Sequence, residues 1–321
     1  MNIKLMTNVF RLKNSFYIAL FISILFMIGF YLLSYFQLIQ SVESQALIGE
    51  ASRWCERVSS GVFREPINTL SNLGFMVVGL FILYKLSNEN SFNNFSGLTN
   101  ISVLYGICVI WLGPGSMLMH GTNTEWGGWA DNLSMVMYII IPWLYNCYKM
   151  SDWTESKLIK IYALVVFIYA ITRGLFGYGM GIGLDLFGVS IGLWVISEFL
   201  FKFWSPRMRF YSGFVGFIVL MIFGIFPQEV FNNFAEYWWI IFFWVPGLLA
   251  TKKPDSVRSY RFYFLGMIAY LSAFAIWLTG VPGNESCNPD SLIQAHGIWH
   301  LLTALATILF LYHYRSERLI N

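Results

Sequence analysis

Residues 100–121 have the sequence NISVLYGICVIWLGPGSMLMHG, which contains no Asp, Glu, Lys or Arg. A helix of about 20 mainly apolar residues is long enough to cross the hydrocarbon core of a bilayer. The whole 321-residue chain has a similar character, since 57% of its residues are hydrophobic and 19% are aromatic. Only 12% are charged, about half the share found in soluble domains. The composition excludes an ordinary soluble enzyme and predicts an all-α polytopic membrane protein.

Ten stretches of the chain, including this one, are long and apolar enough to be transmembrane helices. The predicted segments are 15–39, 66–87, 100–121, 129–149, 158–176, 181–202, 209–227, 235–251, 260–280 and 292–314. Polar or charged joints separate them, and no block the size of a soluble domain lies between any two. The short pair 209–227 and 235–251 could instead re-enter the membrane from one side.

The first segment resembles a signal peptide because Lys4, Arg11 and Lys13 precede it. Its uncharged run from residue 14 to residue 42 is too long for the apolar core of a signal peptide, so we expect an uncleaved helix. The predicted organisation is an N-terminal helix with an outer loop, residues 1–65, followed by a multi-helix membrane domain, residues 66–321.

The positive charges predict the orientation, because cytoplasmic loops collect Lys and Arg. If the N-terminus is inside, only four of the 20 Lys and Arg residues fall outside: Arg53, Arg57, Arg64 and Arg173. The inside group is Lys4, Arg11, Lys13, Lys85, Lys149, Lys157, Lys160, Lys202, Arg207, Arg209, Lys252, Lys253, Arg258, Arg261, Arg315 and Arg318. Both termini are therefore predicted to be cytoplasmic. The net charge of +3 is small and dispersed, which argues against nucleic-acid binding.

This topology brings reactive side chains to one level near the outer membrane surface. Segment 100–121 runs outward and ends with Ser116 and His120, which lie on one helical face at i and i+4. Asp131 follows after a short turn. The last segment starts at the same level with His296 and His300, again at i and i+4. Polar groups in membrane segments are costly and tend to mark function.

Two histidines at i and i+4 have a common zinc-ligand spacing, although helix-packing histidines show it too. A third histidine at the same depth favours a metal centre with His120, His296 and His300 as ligands. Three ligands leave one tetrahedral position open for water, which is the arrangement of catalytic zinc. His313 falls near the inner surface and is expected to lie far from the ion.

Four short blocks carry a family resemblance. They are Trp54-Cys55-Glu56, Glu65 with Asn68-Thr69-Leu70-Ser71-Asn72, Ser116-x3-His120 with Asp131, and His296-x3-His300 within HGIWHLLTA. In this order they resemble the signature of the alkaline ceramidases, within the CREST superfamily of membrane hydrolases that also includes the adiponectin-receptor-like proteins. The resemblance implies a seven-helix core, to which this chain adds further helices.

The resemblance implies a zinc-dependent amidase that cleaves a ceramide into a sphingoid base and a fatty acid. Zinc would be held by the three histidines, Asp131 would handle the proton of the zinc-bound water, and Ser116 would stabilise the oxyanion. A metal-containing lipid receptor without turnover, a hydrolase of another acyl lipid and a transporter are alternatives. Asp131 could also cap its helix, and Ser116 could bond to a carbonyl of its own helix. A lipid and the bilayer are the expected partners, and the oligomeric state stays open.

The resemblance also implies a calcium site that would use Glu56 and Glu65. Here the residue before Trp54 is Arg53 instead of an acidic residue, and Arg57 follows Glu56. Two guanidinium groups oppose a dication that needs about six or seven oxygen ligands. Glu56 and Glu65 could instead form ion pairs with neighbouring arginines.

The four cysteines divide into two pairs. Cys108 and Cys147 lie within segments and are expected to be reduced packing residues. Cys55 and Cys287 lie in the first and last outer loops, where the compartment is oxidising. We predict a Cys55–Cys287 disulfide that links the second and tenth segments beside the metal centre.

Overall fold

A computed structural model of the chain describes residues 14–39, 41–42 and 45–320, and these residues are mostly helical. The predicted charges Lys4, Arg11 and Lys13 lie outside this part. The α-helices are α1 (Ser15–Tyr35), α2 (Pro66–Ser71), α3 (Leu73–Ser87), α4 (Asn100–Thr122), α5 (Glu125–Lys149), α6 (Glu155–Phe176), α7 (Leu186–Lys202), α8 (Met208–Tyr211), α9 (Val215–Ile222), α10 (Pro227–Asn232), α11 (Val245–Leu249), α12 (Arg261–Thr279) and α13 (Ala295–Arg315). Shorter elements are the 3-10 segments Gln45–Leu47, Tyr178–Gly181, Ser212–Phe214 and Trp238–Trp244, and the strands β1 (Ser256–Val257) and β2 (Arg318–Leu319).

Among the described residues, six helical stretches are long and apolar enough to cross a membrane. They are Ser15–Tyr35, Pro66–Ser87, Asn100–Thr122, Glu155–Phe176, Arg261–Thr279 and Ala295–Arg315. Each of them overlaps a predicted segment. The protein is thus α-helical, with several apolar helices of transmembrane length.

The remaining predicted segments take other forms. α5 is one helix of 25 residues, and it begins at Glu125, before the predicted start at residue 129. α7 begins at Leu186, later than predicted, because Asp185 caps it by accepting a hydrogen bond from the Phe187 N–H (3.1 Å). The last two form the shorter apolar stretches Met208–Ile222 and Trp238–Leu249.

The chain forms two compact units. One comprises Met1–Ser134 and Arg258–Arg318, and the other comprises Met135–Val257 and Leu319–Asn321. The boundary falls within α5. Every residue of the predicted metal centre belongs to the first unit.

In the first unit, α3 packs along α4, and α12 packs along α13. The contact between α3 and α4 requires a glycine. A Cβ atom on Gly79 would lie 2.6 Å from the Ile110 nitrogen and 3.0 Å from the Gly106 oxygen. Any side chain there would push the two backbones apart.

The start of α4 is fixed by a capping box. The Thr99 hydroxyl accepts a hydrogen bond from the Ser102 N–H (3.0 Å), and the Ser102 hydroxyl accepts one from the Thr99 N–H (2.9 Å). Because the helix starts at a defined residue, its last two turns place Ser116 and His120 at a defined level.

Candidate metal centre and active site

Three buried histidines from two helices meet in the first unit. His120 lies in the last turn of α4, and His296 and His300 lie on one face at the start of α13. One ring nitrogen from each lies within 4.8 Å of the others. The Nε2 atoms of His120 and His296 are only 3.0 Å apart. Two lone pairs that face each other at this distance repel unless a proton or a cation lies between them, so the histidines could bind a metal ion.

Two of the rings are held by hydrogen bonds at their Nδ1 atoms. Glu65 Oε2 lies 2.8 Å from His120 Nδ1, and Ser71 Oγ lies 2.8 Å from His300 Nδ1. A carboxylate at Nδ1 places the proton there and leaves Nε2 as the free base. Metal-binding histidines usually have such a partner on the second nitrogen. The donor set therefore fits zinc, which binds neutral imidazole nitrogens.

The third ring is held by stacking. The indole of Trp54 lies against His296 with ring centres 4.5 Å apart and an angle of 17° between the planes. Trp277 of α12 contacts the same indole at 5.4 Å. Within the described part of the chain, Nδ1 of His296 is buried without a hydrogen-bond partner. Stacking therefore orients the His296 ring, whereas polar partners orient the rings of His120 and His300.

Ser116 and Asp131 lie beside the histidines. The Ser116 hydroxyl is 3.5 Å from His300 Nε2 and interacts with the half-buried Asp131 carboxylate. Gly115 allows this arrangement, because a Cβ atom there would lie 2.9 Å from the Ala130 oxygen of α5. The first turns of α5 thus approach α4 closely enough to bring Asp131 next to Ser116.

The suggested capping role of Asp131 does not fit the helix bounds. α5 begins at Glu125, so Asp131 lies more than one turn inside it. The carboxylate is instead directed toward the site, where it experiences the charge of His120.

The acidic residues before α2 have structural partners. The two carboxylate oxygens of Glu56 accept hydrogen bonds from the N–H groups of Ile67 (2.7 Å) and Asn68 (2.8 Å), so Glu56 caps α2. Burial raises the pKa of Glu56, and these two bonds oppose that effect. Glu65 Oε2 also accepts a bond from the Asn68 amide (2.9 Å). A calcium site would need about six to eight oxygen ligands, more than these two carboxylates supply by themselves.

The expected pairing of these acids with arginines is replaced by other contacts. Arg57 forms a bidentate ion pair with Asp290 at 2.6 and 2.7 Å. The guanidinium of Arg57 holds the pKa of Asp290 below its usual value. Arg64 donates to the Ser41 hydroxyl at 2.7 and 3.1 Å. Both arginines therefore connect loops of the first unit.

The predicted disulfide is confirmed. Cys55 and Cys287 are bonded, with their Cα atoms 5.6 Å apart. The bond ties the loop before α2 to the loop before α13, next to the ion pair of Arg57 with Asp290. Cys108 and Cys147 are buried thiols that are not part of a disulfide, as predicted.

His313 lies apart from the other histidines, in the last turn of α13. Its Nδ1 is 2.9 Å from the Ser259 carbonyl oxygen. The ring is buried, although its position in the sequence suggested the membrane interface.

Sequence reasoning did not predict how the rings are held. Trp54, Glu65 and Ser71 all lie in the quoted blocks, but the residue types do not reveal which ring each of them contacts. The only signal was the concentration of polar residues at the start of an apolar helix, which indicated function without assigning a partner.

Comparison with known proteins places these residues in a family. No curated protein matches the chain. A model of the Ceramidase family matches residues 50–320, a range that includes the histidines, Asp131, Ser116 and both bonded cysteines. The chain therefore belongs to the ceramidase family and is a hydrolase that acts on the amide C–N bond of ceramide.

Proposed function

We propose that the protein is a zinc-dependent amidase that works within the membrane and releases a fatty acid and an amine base from a ceramide-like lipid. The observation that carries this proposal is the meeting of the three buried histidine rings beside Asp131 and Ser116. Family membership supports the reaction, and the donor set supports zinc as the metal.

His120, His296 and His300 would hold the ion through their Nε2 atoms. A zinc ion there would lower the pKa of a water molecule to about 7 and polarise the amide carbonyl. The Glu65 carboxylate and the Ser71 hydroxyl keep two of the rings in the tautomer that this binding requires.

Asp131 is the proposed general base. Its carboxylate accepts a proton from the attacking water and returns that proton to the amide nitrogen as the C–N bond breaks. The Ser116 hydroxyl donates a hydrogen bond to the carbonyl oxygen as negative charge develops, a role worth about 3 kcal/mol for one good donor. The Ser116 hydroxyl lies 3.5 Å from His300 Nε2 and is hydrogen-bonded to the Asp131 carboxylate.

We propose ten membrane segments around a ceramidase-like seven-helix core, with both termini in the cytoplasm and the site toward the outer face. The alternation of Lys and Arg along the loops supports this orientation. The oxidised Cys55–Cys287 pair supports an outer location of the site, since disulfides persist in oxidising compartments. The stretches Met208–Ile222 and Trp238–Leu249 belong to the extra segments.

We also propose that Glu56 and Glu65 act through hydrogen bonds and do not bind calcium. Glu56 caps α2, and Glu65 orients His120. Activity is then expected to be unaffected by a calcium chelator that leaves zinc in place.

The test is to incubate purified protein with N-acyl lipids and to measure released fatty acid by mass spectrometry. We expect release from the wild type and none from His296→Ala, whose metal content should fall. His313→Gln is the matched control, because it changes a histidine of the same helix outside the triad and should retain zinc. Absence of release from folded, zinc-loaded wild type would reject the proposed reaction and favour a lipid receptor.

A further inference from the structure

Arg53 is an exposed cation at the edge of the candidate site. Its guanidinium carbon lies 4.4 Å from the ring centre of Trp54, and Trp54 stacks on His296 at 4.5 Å. The distance from the guanidinium carbon to the His296 ring centre therefore cannot exceed the sum of these two distances. Stacking on an indole restrains an arginine side chain while its N–H groups remain available.

The other arginines of this loop are committed to structural contacts, and Arg53 is not. Arg57 binds the Asp290 carboxylate, and Arg64 binds the Ser41 hydroxyl. In the part of the chain that the structure describes, the Arg53 guanidinium has its contact with Trp54 and no hydrogen bond or ion pair. The buried Nε1 of Trp54 also lacks an acceptor there. Within residues 14–39, 41–42 and 45–320, two neighbouring hydrogen-bond donors are thus without acceptors.

Arg53 is close enough to the candidate site for its charge to act there. Arg53 acts electrostatically on both Asp131 and His296. The nearby acids do not neutralise it, because Glu56 binds the N–H groups of α2 and Glu65 binds His120. An anion at the edge of the site next to Trp54 would therefore meet a guanidinium that has no ion-pair partner among the described residues.

We propose that Arg53 is a specificity-determining residue that binds an anionic group on the amine half of the lipid substrate. The enzyme would then prefer N-acyl lipids with a phosphate or a similar anion close to the amide over neutral ceramide. This inference rests on the proposed function.

The chemistry of the substrate limits where the anion can be. The acyl half is a hydrocarbon chain that extends into apolar surroundings, where a charge is costly. The head-group end of the amine half is the part that can carry a charge near the amide. A guanidinium binds phosphate oxygens through two parallel N–H groups, which fixes orientation as well as charge.

The experiment compares ceramide with ceramide 1-phosphate of the same chain lengths, both in neutral detergent micelles. We expect wild-type kcat/KM to be at least roughly tenfold higher for the phosphorylated lipid, mainly through a lower KM. Arg53→Gln should bring the ratio of the two kcat/KM values close to one, and Arg53→Asp should invert it. Arg261→Gln is the control, since it removes an exposed cation at the far end of α12 and should leave the ratio unchanged.

Each other outcome overturns the inference in a different way. If both lipids are cleaved and Arg53→Gln leaves their ratio unchanged, the proposed function stands and the role of Arg53 is rejected. If neither lipid is cleaved by folded, zinc-loaded protein, the proposed function fails as well. Ceramide cleavage that Arg53 accelerates only in phosphatidylglycerol vesicles, with no preference in micelles, would assign Arg53 to bilayer phosphates instead.

Discussion

Single atoms in the centre decide which nitrogen can bind a metal. His120 and His300 have oxygen partners at Nδ1, whereas Nδ1 of His296 has none among the described residues and its ring stacks on the indole of Trp54. Loss of one oxygen partner should free a ring to change its tautomer or rotate. Residues that touch neither the metal nor the lipid should therefore control metal affinity.

Ser71→Ala removes the partner of His300, and we expect zinc affinity to fall about 10- to 100-fold. Competition with a chromogenic chelator measures the affinity directly. Ser87→Ala is the matched control, because Ser87 is exposed and its hydroxyl donates to the Tyr84 carbonyl oxygen of its own helix. Unchanged zinc affinity in Ser71→Ala would reject a role for this hydroxyl in orienting the ring.

Asp131→Asn should keep the metal and lose the reaction. An amide cannot accept the proton, so we expect kcat to fall by about 10²- to 10⁴-fold, with zinc content measured by mass spectrometry unchanged. Asp152→Asn changes an exposed carboxylate that is 3.3 Å from Lys252, and it should have no effect. Nearly normal kcat in Asp131→Asn would require another base.

For single residues, the sequence indicated which residue types form the site. It did not indicate which side chains contact one another. The i, i+4 spacing and the common depth of the histidines were enough to bring His120, His296 and His300 together. Glu65 was expected to bind calcium or an arginine, yet it contacts His120. That contact depends on how the chain enters α2, where the Glu65 N–H donates to the His120 carbonyl oxygen (2.9 Å), and no local pattern encodes this approach.

Among the elements, α3 and α4 bring their backbones close together at Gly79. Gly79→Val would introduce a branched side chain where a single Cβ already lies 2.6 Å from a backbone nitrogen. We expect destabilisation of about 1–3 kcal/mol or more, measured as a lower unfolding temperature in detergent. Gly29→Val is the control, since a Cβ on Gly29 of α1 meets nothing within 4 Å. Equal unfolding temperatures would show that the two helices can separate without cost.

The disulfide should matter for stability and for metal retention. It closes a sequence separation of 232 residues, and bonds of this kind typically contribute about 2–4 kcal/mol. We expect reductant to lower the unfolding temperature and to speed zinc loss in the wild type. The double variant Cys55→Ser, Cys287→Ser should show both effects in the absence of reductant. Added reductant should then cause no further change in this variant. A wild type that is insensitive to complete reduction would contradict this.

Helix bounds were predictable where polar residues interrupt the apolar runs and unpredictable where they do not. α4 and α13 agree closely with the predicted segments, because Thr99 and Gln294 immediately precede the apolar turns. The predicted segment 209–227 is apolar up to its end, so composition could not reveal that its helix stops at Ile222, that Gly224 has a φ of +82° and that a new helix starts at Pro227.

For the molecule as a whole, orientation in the membrane is the property to test. One cysteine is introduced at each of two exposed loop positions of the first unit, in the variants Asn90→Cys and Glu285→Cys. The two variants should differ in how a membrane-impermeant maleimide labels them in intact cells. We expect labelling of Glu285→Cys only, because its loop is proposed to be outside. Asn90→Cys should label after the membrane is permeabilised, which serves as its control. Labelling of Asn90→Cys in intact cells would reverse the proposed orientation.

The distance along the chain between the ligands has a consequence for biosynthesis. His120 and His296 are separated by 176 residues. Translation adds roughly 5–20 residues per second, so a nascent chain carries the first ligand for on the order of ten seconds before the others exist. During this interval the three-histidine centre cannot form, however much zinc is present. Metal loading is therefore a step that follows synthesis of the last helix, and a ribosome that stalls before His296 leaves a membrane protein that cannot degrade the lipids around it.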